Sequence, residues 1–454
     1  MRFKTYNFLL VLTGAILLCF VAFLNHFPVV YPDTATYILS GFTNNVPWDR
    51  PIFYGLFIRH ISLATSPWFV ILAQGLLVSY VVYETFGMFY SGDKRNIIFI
   101  FSLVLLTIAG SVSYNTSILL PDIFSALCIL CFVNLLLNDK LGKVQKIIFY
   151  IIFLYSMLVH FSNFFVLFLF TILILIYLLI KRFKKQPLLL KRRRIISVFI
   201  SIWSILIIAP SANYAFSKQF SFSRGSHVFI LNHLLETGIL EEYLNDECAH
   251  KNYKLCEYKD QLGWDFIWQD DSPFYKMGGP DSTKNEYNKI IFDILTTPKY
   301  FKEVAIHALE FSLIQFFTFD IPGNGPGYAK ILQVDSYQIY NRAYLASLQS
   351  NNKLDPNLHV LNELQRILVL VSMGIFICVL FIPSILKLLS PQLKWMMVII
   401  SVLCYINAAV CPNLSTVADR FQDRVIWLIP LTAIIVVEHI ISTYRLKLKK
   451  VNPI

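Results

Sequence analysis

The feature that most limits what this chain can fold into is a recurrence of apolar runs of bilayer length. The hydrocarbon core of a membrane is about 30 Å thick and a helix rises about 1.5 Å per residue, so roughly 20 apolar residues cross it. Runs of that order lie at about 7–26, 67–90, 97–119, 121–138, 147–161, 163–180, 195–214, 366–388, 394–412 and 424–442. Composition agrees: 56% of the 454 residues are hydrophobic, only 15% are charged, and the mean hydropathy is +0.59. A soluble domain is about one quarter charged. The expected fold is an all-α polytopic membrane protein of about ten transmembrane helices, with a large, mainly helical extracytoplasmic segment before helix 8. Three regions follow: 1–214 with seven helices and their outer loops, 215–365 outside or on the membrane, and 366–454 with three helices. The first run follows Arg2 and Lys4 and lacks a small-x-small cleavage motif, so it reads as an uncleaved first helix.

Basic residues set the orientation. The net charge of +11 would suggest nucleic acid in a soluble protein, but here the cations fall in short connections. Lys94 and Arg95, then Lys140, Lys143 and Lys146, then Lys181, Arg182, Lys184, Lys185 and Lys191 to Arg194 occupy successive even-numbered connections. Lys387, Lys394 and the tail Arg445, Lys447, Lys449 and Lys450 complete the series, which puts both termini in the cytoplasm. The dense cluster at 181–194 reads as a loop against anionic lipid headgroups, not as a nucleic-acid patch. Six cysteines lie in or beside apolar runs and read as packing residues, the Cys128-x-x-Cys131 pair included. Cys248 and Cys256 lie outside the apolar runs and are disulfide candidates in an oxidising compartment. The Gly-rich run from Pro322 to Gly327 has neither the Lys-Ser/Thr nor the preceding strand of a P-loop.

Charged residues also gather on the opposite side. Asp33 follows the first helix in Tyr31-Pro32-Asp33-Thr34-Ala35-Thr36-Tyr37, where it suits either a lipid headgroup or a helix N-cap. Asp49-Arg50-Pro51-Ile52-Phe53-Tyr54 opens a further helix. Asp122 repeats the Pro-Asp arrangement at another outer turn, and two outward-facing acids could share acid–base work or hold a divalent cation. In Asp419-Arg420-Phe421-Gln422-Asp423-Arg424 the two arginines stand four apart, hence on one helix face. Arginines at an outer helix mouth oppose the usual charge bias; their forks match lipid phosphate, and pairing with Asp419 and Asp423 is the plainer alternative. Arg224, in Ser223-Arg224-Gly225-Ser226-His227, adds a cation near the end of helix seven.

This constellation resembles the GT-C superfamily of polytopic glycosyltransferases. The resemblance is carried by Pro32-Asp33-x-x-x-Tyr37, Arg50-Pro51-x-x-Tyr54, Pro121-Asp122 and Asp419-Arg420-x-x-x-Arg424. It implies transfer of a sugar from a polyprenyl-phosphate carrier to a lipid, glycan or protein acceptor at the outer face of a bacterial cytoplasmic membrane. Asp33 would be the catalytic carboxylate, with its pKa raised by burial, and Asp122 its partner. Arg50, Arg224, Arg420 and Arg424, with Tyr37 and Tyr54, would bind the substrate. The long Cys-bearing segment before helix 8 departs from relatives that carry a soluble domain at the C-terminus, which leaves subfamily and acceptor open. A multi-pass transporter or lipid flippase, a non-catalytic assembly factor, and an O-antigen ligase or polymerase using a diphosphate-linked donor remain as alternatives.

Overall fold

The computed structural model describes residues 5–184, 191–263, 266–323, 337 and 340–451. Arg2, Lys4, Lys185 and the Gly-rich run beyond Gly323 lie outside them. Among the described residues the chain is helical, with no strand beyond one isolated bridge between Val29 and Ile118.

The first region comprises α1 (Thr5–Leu18), α2 (Phe20–Asn25), α3 (Pro32–Thr43), α4 (Phe53–Ile61), α5 (Trp68–Phe89), α6 (Gly92–Ala109) and α7 (Val112–Ser117). It continues with α8 (Ile123–Leu137), α9 (Lys143–Val159), α10 (Ser162–Phe183) and α11 (Arg192–Ser217). Next come α12 (Ser226–Glu236), α13 (Ile239–Glu247), a 3₁₀ turn at Lys254–Gln261, α14 (Pro273–Lys276), α15 (Gly279–Thr296) and α16 (Pro298–Phe317). The chain ends with α17 (Asn341–Leu345), α18 (Asp355–Phe381), α19 (Pro383–Leu386), α20 (Pro391–Leu414), α21 (Asp419–Ile426) and α22 (Leu428–Val451).

Among the described residues six helical stretches are long and apolar enough to cross a membrane: α5, α10, α11, α18, α20, and Asp419–Arg445, which joins α21 to α22. The other four expected runs fold into shorter pieces. The run at 7–26 breaks at Cys19 between α1 and α2, and the run at 97–119 breaks at Gly110, where the backbone is extended. The runs at 121–138 and 147–161 yield helices of 15 and 17 residues. Hydropathy counts apolar residues, but it does not register where tertiary contacts end a helix.

α8 is the centre of the bundle. All of its residues from Ile123 to Leu137 are buried, the behaviour of a helix that is apolar on every side. It is flanked by α5, α9, α11 and α20. The outer helices instead expose long aliphatic stripes, such as Leu169, Leu173 and Ile176 on α10 and Ile367, Leu370 and Val371 on α18. Stripes of that extent are tolerated only against lipid or a partner.

Residues from 11 to 209 and from 319 to 436 share one apolar core, so the first and last regions form a single helical body. A second core is built from Val228 to Tyr300 around Tyr243, Phe274, Tyr287 and Ile290. The expected 215–365 segment is therefore divided: residues between Val228 and Tyr300 form their own core, while Phe319, Tyr344, Leu354 and Leu358 pack on the helical body. Cys248 and Cys256 are joined by a disulfide within the smaller unit, and the other six cysteines are free. α16 lies against α20, with Phe316 5.8 Å from Tyr405 and Asn413 bonded to the Ala308 carbonyl.

Charges at one end of the bundle pair with one another: Lys94 with Glu438 (2.8 Å), Arg95 with Glu84 (3.3 Å), and Lys191 and Arg194 with Asp139. The cations are those of the basic connections. The opposite end carries the residues described next.

Candidate functional site

Two loops are pinned together before any charge meets another. In the isolated bridge the Val29 amide donates to the Ser117 carbonyl (2.9 Å) and the Leu119 amide to the Val29 carbonyl (2.9 Å). Gln349 closes the first loop from behind, accepting from the Val30 amide and donating to its carbonyl (3.1 and 2.7 Å). Asp33 stands four residues beyond Val29, and Asp122 four beyond Ile118. The bridge thus sets the two acids side by side.

Local structure then aims them. Pro32 opens α3, as suits a residue with no amide to donate, and Tyr31 is its N-cap. Thr34 accepts from the Tyr31 amide (3.0 Å) and donates to Leu119 (3.1 Å), so the cap is made without Asp33. Asp122 occupies the N-cap position of α8, yet its side chain makes no capping bond. Both carboxylates are left to face α21. On that helix Arg420 and Arg424 share one face, while Asp423 on another is tied to Asn115 (2.7 Å) and Gln365 (3.3 Å) and Asp419 accepts from the Asp320 amide. The pairing of these arginines with their neighbouring acids, the plainer sequence alternative, is not the one adopted.

The outcome is an alternating chain of charges drawn from three distant parts of the sequence. Arg50 lies 3.2 Å from Asp33, which lies 2.9 Å from Arg420. Arg420 Nε is 4.0 Å from Asp122, and Asp122 is 3.1 Å from Arg424. Asp49 braces Arg50 from the other side at 2.6 Å. From Asp33 onward side-chain exposure falls, from 23% there and 16% at Arg420 to 3% at Asp122 and none at Arg424. The site is thus open at the Asp33 side and closed at the Arg424 side.

Burial works against the charge on Asp33, but Arg420 and Arg50 outweigh it and hold its carboxyl below the usual carboxylate range. This reverses the expectation that burial raises it. The sequence placed Asp33 at an interface but could not show two guanidinium groups converging on it.

Arg424 is the most enclosed member. Beyond Asp122 it donates to His160 Nε2 (2.8 Å), Ser162 Oγ (3.1 Å), Asn407 Oδ1 (3.4 Å) and Cys411 Sγ (3.0 Å). A guanidinium only donates, so His160 Nε2 accepts, and its Nδ1–H donates to Ser162 Oγ at 2.8 Å. Sequence reasoning missed these four residues. His160 and Ser162 were legible only as polar residues at the joint of two apolar runs, and Asn407 and Cys411 lie inside a run that reads as packing.

Tyr37 is buried with Arg50 over its ring at 5.1 Å, and the Tyr31 ring lies under Arg420 at 4.9 Å. Tyr54 is fully buried and donates to Gln74 (2.7 Å), so it supports the site from below and does not line it. Arg224 is not drawn into the chain of charges: it pairs with Asp281 at 2.9 Å and donates to the Val46 carbonyl. It does share a shallow hollow with Arg50, Trp48 and Phe161. Among the described residues no three His, Cys, Asp or Glu side chains are arranged to hold a metal ion.

Chemically, the arrangement gathers three guanidinium groups and two carboxylates, with Asp33 and Arg420 at its more open side and Arg424 enclosed. No family model, curated protein or solved structure matches the chain.

Proposed function

We propose that this chain is a multi-pass membrane glycosyltransferase that moves a sugar from a polyprenyl-phosphate donor to an acceptor hydroxyl. The observation that carries the reading is the convergence of Arg50, Arg420 and Arg424 with Asp33 and Asp122 at one end of the bundle. Forked guanidinium groups bind phosphate oxygens and stabilise the charge that builds on a phosphate leaving group. A carboxylate beside them can take the proton of an attacking hydroxyl. A charged site at the rim also favours this reading over a transporter, whose ionisable residues lie at mid-membrane.

The membrane topology belongs to the same proposal. Ten spans are reached when α1–α2, α6–α7, α8 and α9 cross as shorter or broken helices beside the six long ones. Both termini are then cytoplasmic and the site faces outward. α8 has 15 residues, so it is about 22 Å long and stops about 8 Å short of the roughly 30 Å hydrocarbon thickness. Its inner end is level with the Asp139–Arg194 pair, so Asp122 is recessed below the outer surface. A donor with its phosphate at headgroup depth suits such a recess.

The test uses membranes of the parent organism and a panel of radiolabelled polyprenyl-phosphate sugars. Wild-type chain is expected to move label off the lipid, and an Asp33→Asn/Asp122→Asn double variant of equal abundance to leave it there. Label that stays on every monophosphate carrier with wild type would overturn the reading. Transfer from a polyprenyl diphosphate alone would replace it with the ligase or polymerase class.

A further inference from the structure

The two acids of the site are not equivalent. Both oxygens of Asp33 are engaged, Oδ1 by Arg50 at 3.2 Å and Oδ2 by Arg420 at 2.9 Å. Asp122 uses only Oδ1, toward Arg424 at 3.1 Å. Its Oδ2 is buried and has no hydrogen-bond partner. The ordinary use of that oxygen is absent too: an N-cap carboxylate accepts from the first turn of its helix, and Asp122 does not. The Ser125 amide is satisfied instead by the Asp122 backbone carbonyl (3.0 Å).

A buried, unpartnered carboxylate oxygen is costly and rare. Three more orphaned atoms come from the same elements: Ser125 Oγ one turn along α8, and the Nε atoms of Arg420 and Arg424. One acceptor and two cationic donors without partners in one cluster of charges suit a ligand that brings a hydroxyl hydrogen beside an anion. That is the pair of groups that meet when an acceptor hydroxyl attacks a sugar phosphate.

Resting on the glycosyltransferase reading, we infer that Asp122 Oδ2 is the acceptor-hydroxyl subsite and the proton acceptor of the reaction, and that Asp33 is a positioning residue that holds Arg50 and Arg420 for the donor phosphate. In the step, the acceptor oxygen forms a bond to the anomeric carbon and gives its proton to Asp122 Oδ2. The bond from the anomeric carbon to the phosphate oxygen breaks, and its electron pair leaves with the phosphate beside Arg420 and Arg424. A donor arriving from the open side meets Arg420, held there by Asp33, while Asp122 lies at the enclosed end beyond it.

The experiment separates the two acids by kinetics in the full chain reconstituted in nanodiscs with the donor that wild type uses. Asp122→Asn is expected to lower kcat by about 10²–10⁴-fold, the range for loss of a general base, with the donor KM within threefold of wild type. Asp33→Asn is expected to raise the donor KM about tenfold or more and to keep kcat within fivefold. Asp122→Ala with added formate supplies a readout that a structural role would not move: partial recovery of kcat by formate, absent in Asp33→Ala. The inference is overturned if kcat collapses in Asp33→Asn and survives in Asp122→Asn, or if formate rescues Asp33→Ala alone. A wild-type chain that transfers from no donor removes the glycosyltransferase reading itself, and this inference with it.

Discussion

Replacing Arg424 by Met tests the site as a structural element, independent of any activity. The side chain is fully buried and donates to Asp122, His160, Ser162, Asn407 and Cys411. Its removal strands the Asp122 carboxylate, 3% exposed, with Arg420 Nε 4.0 Å away as its nearest remaining cation. Breaking a buried pair by deleting one partner costs about 3–5 kcal/mol, because the other charge is left uncompensated. The surviving Arg420 favours the lower end, so the expected loss is about 3 kcal/mol, a factor of about 150 in the unfolding equilibrium. Adding Asp122→Asn removes the stranded charge, and the double variant should regain about 2 kcal/mol of that loss. Equilibrium unfolding in mixed detergent micelles, followed by tryptophan fluorescence, measures both. A single variant within 1 kcal/mol of wild type, or a double variant no more stable than Arg424→Met alone, would refute the assignment of Arg424 as the counter-ion of Asp122.

Two further outcomes follow from packing and charge. α3 and α4 touch through glycines: a Cβ on Gly41 would come within 2.0 Å of the Gly55 carbonyl oxygen. Gly41→Ala should therefore cost about 1–3 kcal/mol by overpacking and separate Asp33 from Arg50, seen as lower thermal stability and weaker donor binding. In the smaller unit Asp293 accepts from Lys251 (2.6 Å), Tyr253 (2.8 Å) and Tyr243 (3.0 Å). Burial opposes its charge, but these three partners prevail and hold its pKa below the usual carboxylate value. A carboxyl depressed in the folded state stabilises fully above its unfolded pKa of about 3.9 and loses that contribution as pH falls through the folded value. Stability of this unit should fall below about pH 4 in wild type, and Asp293→Asn should flatten that dependence in an acid titration followed by hydrogen exchange.

The rim charges were legible in the sequence for a physical reason. A bilayer penalises ions, so a carboxylate or guanidinium at the end of an apolar run is conspicuous whatever the fold. Asp33, Asp122, Arg420 and Arg424 all stand out on that ground, as does the four-residue spacing that puts both late arginines on one helix face, while Arg50 is marked by the Asp-Arg-Pro that opens a helix. The same reasoning fails for Asn407, Cys411 and Ser162. A single polar side chain inside or beside an apolar helix barely lowers its hydropathy, and only the arrival of Arg424 gives it a role. Tyr54 and Arg224 show the reverse case. Each reads as a substrate-binding residue in the sequence, yet Tyr54 turns inward to Gln74 and Arg224 outward to Asp281.

Local sequence decided the helical character of the chain, the apolar runs and the separation of basic connections from acid-bearing loops, because hydrophobic length and charge act within a few residues of themselves. Tertiary structure decided everything that depends on distance. The Val29–Ile118 bridge sets Asp33 beside Asp122. The contact of Gly41 with Gly55 sets Arg50 against Asp33, and Asp423, held by Asn115 and Gln365, turns both arginines of α21 toward the acids. Which carboxylate oxygen is left open is a property of that assembly alone, since a hydrogen-bond partner exists only once residues far apart in the chain have met.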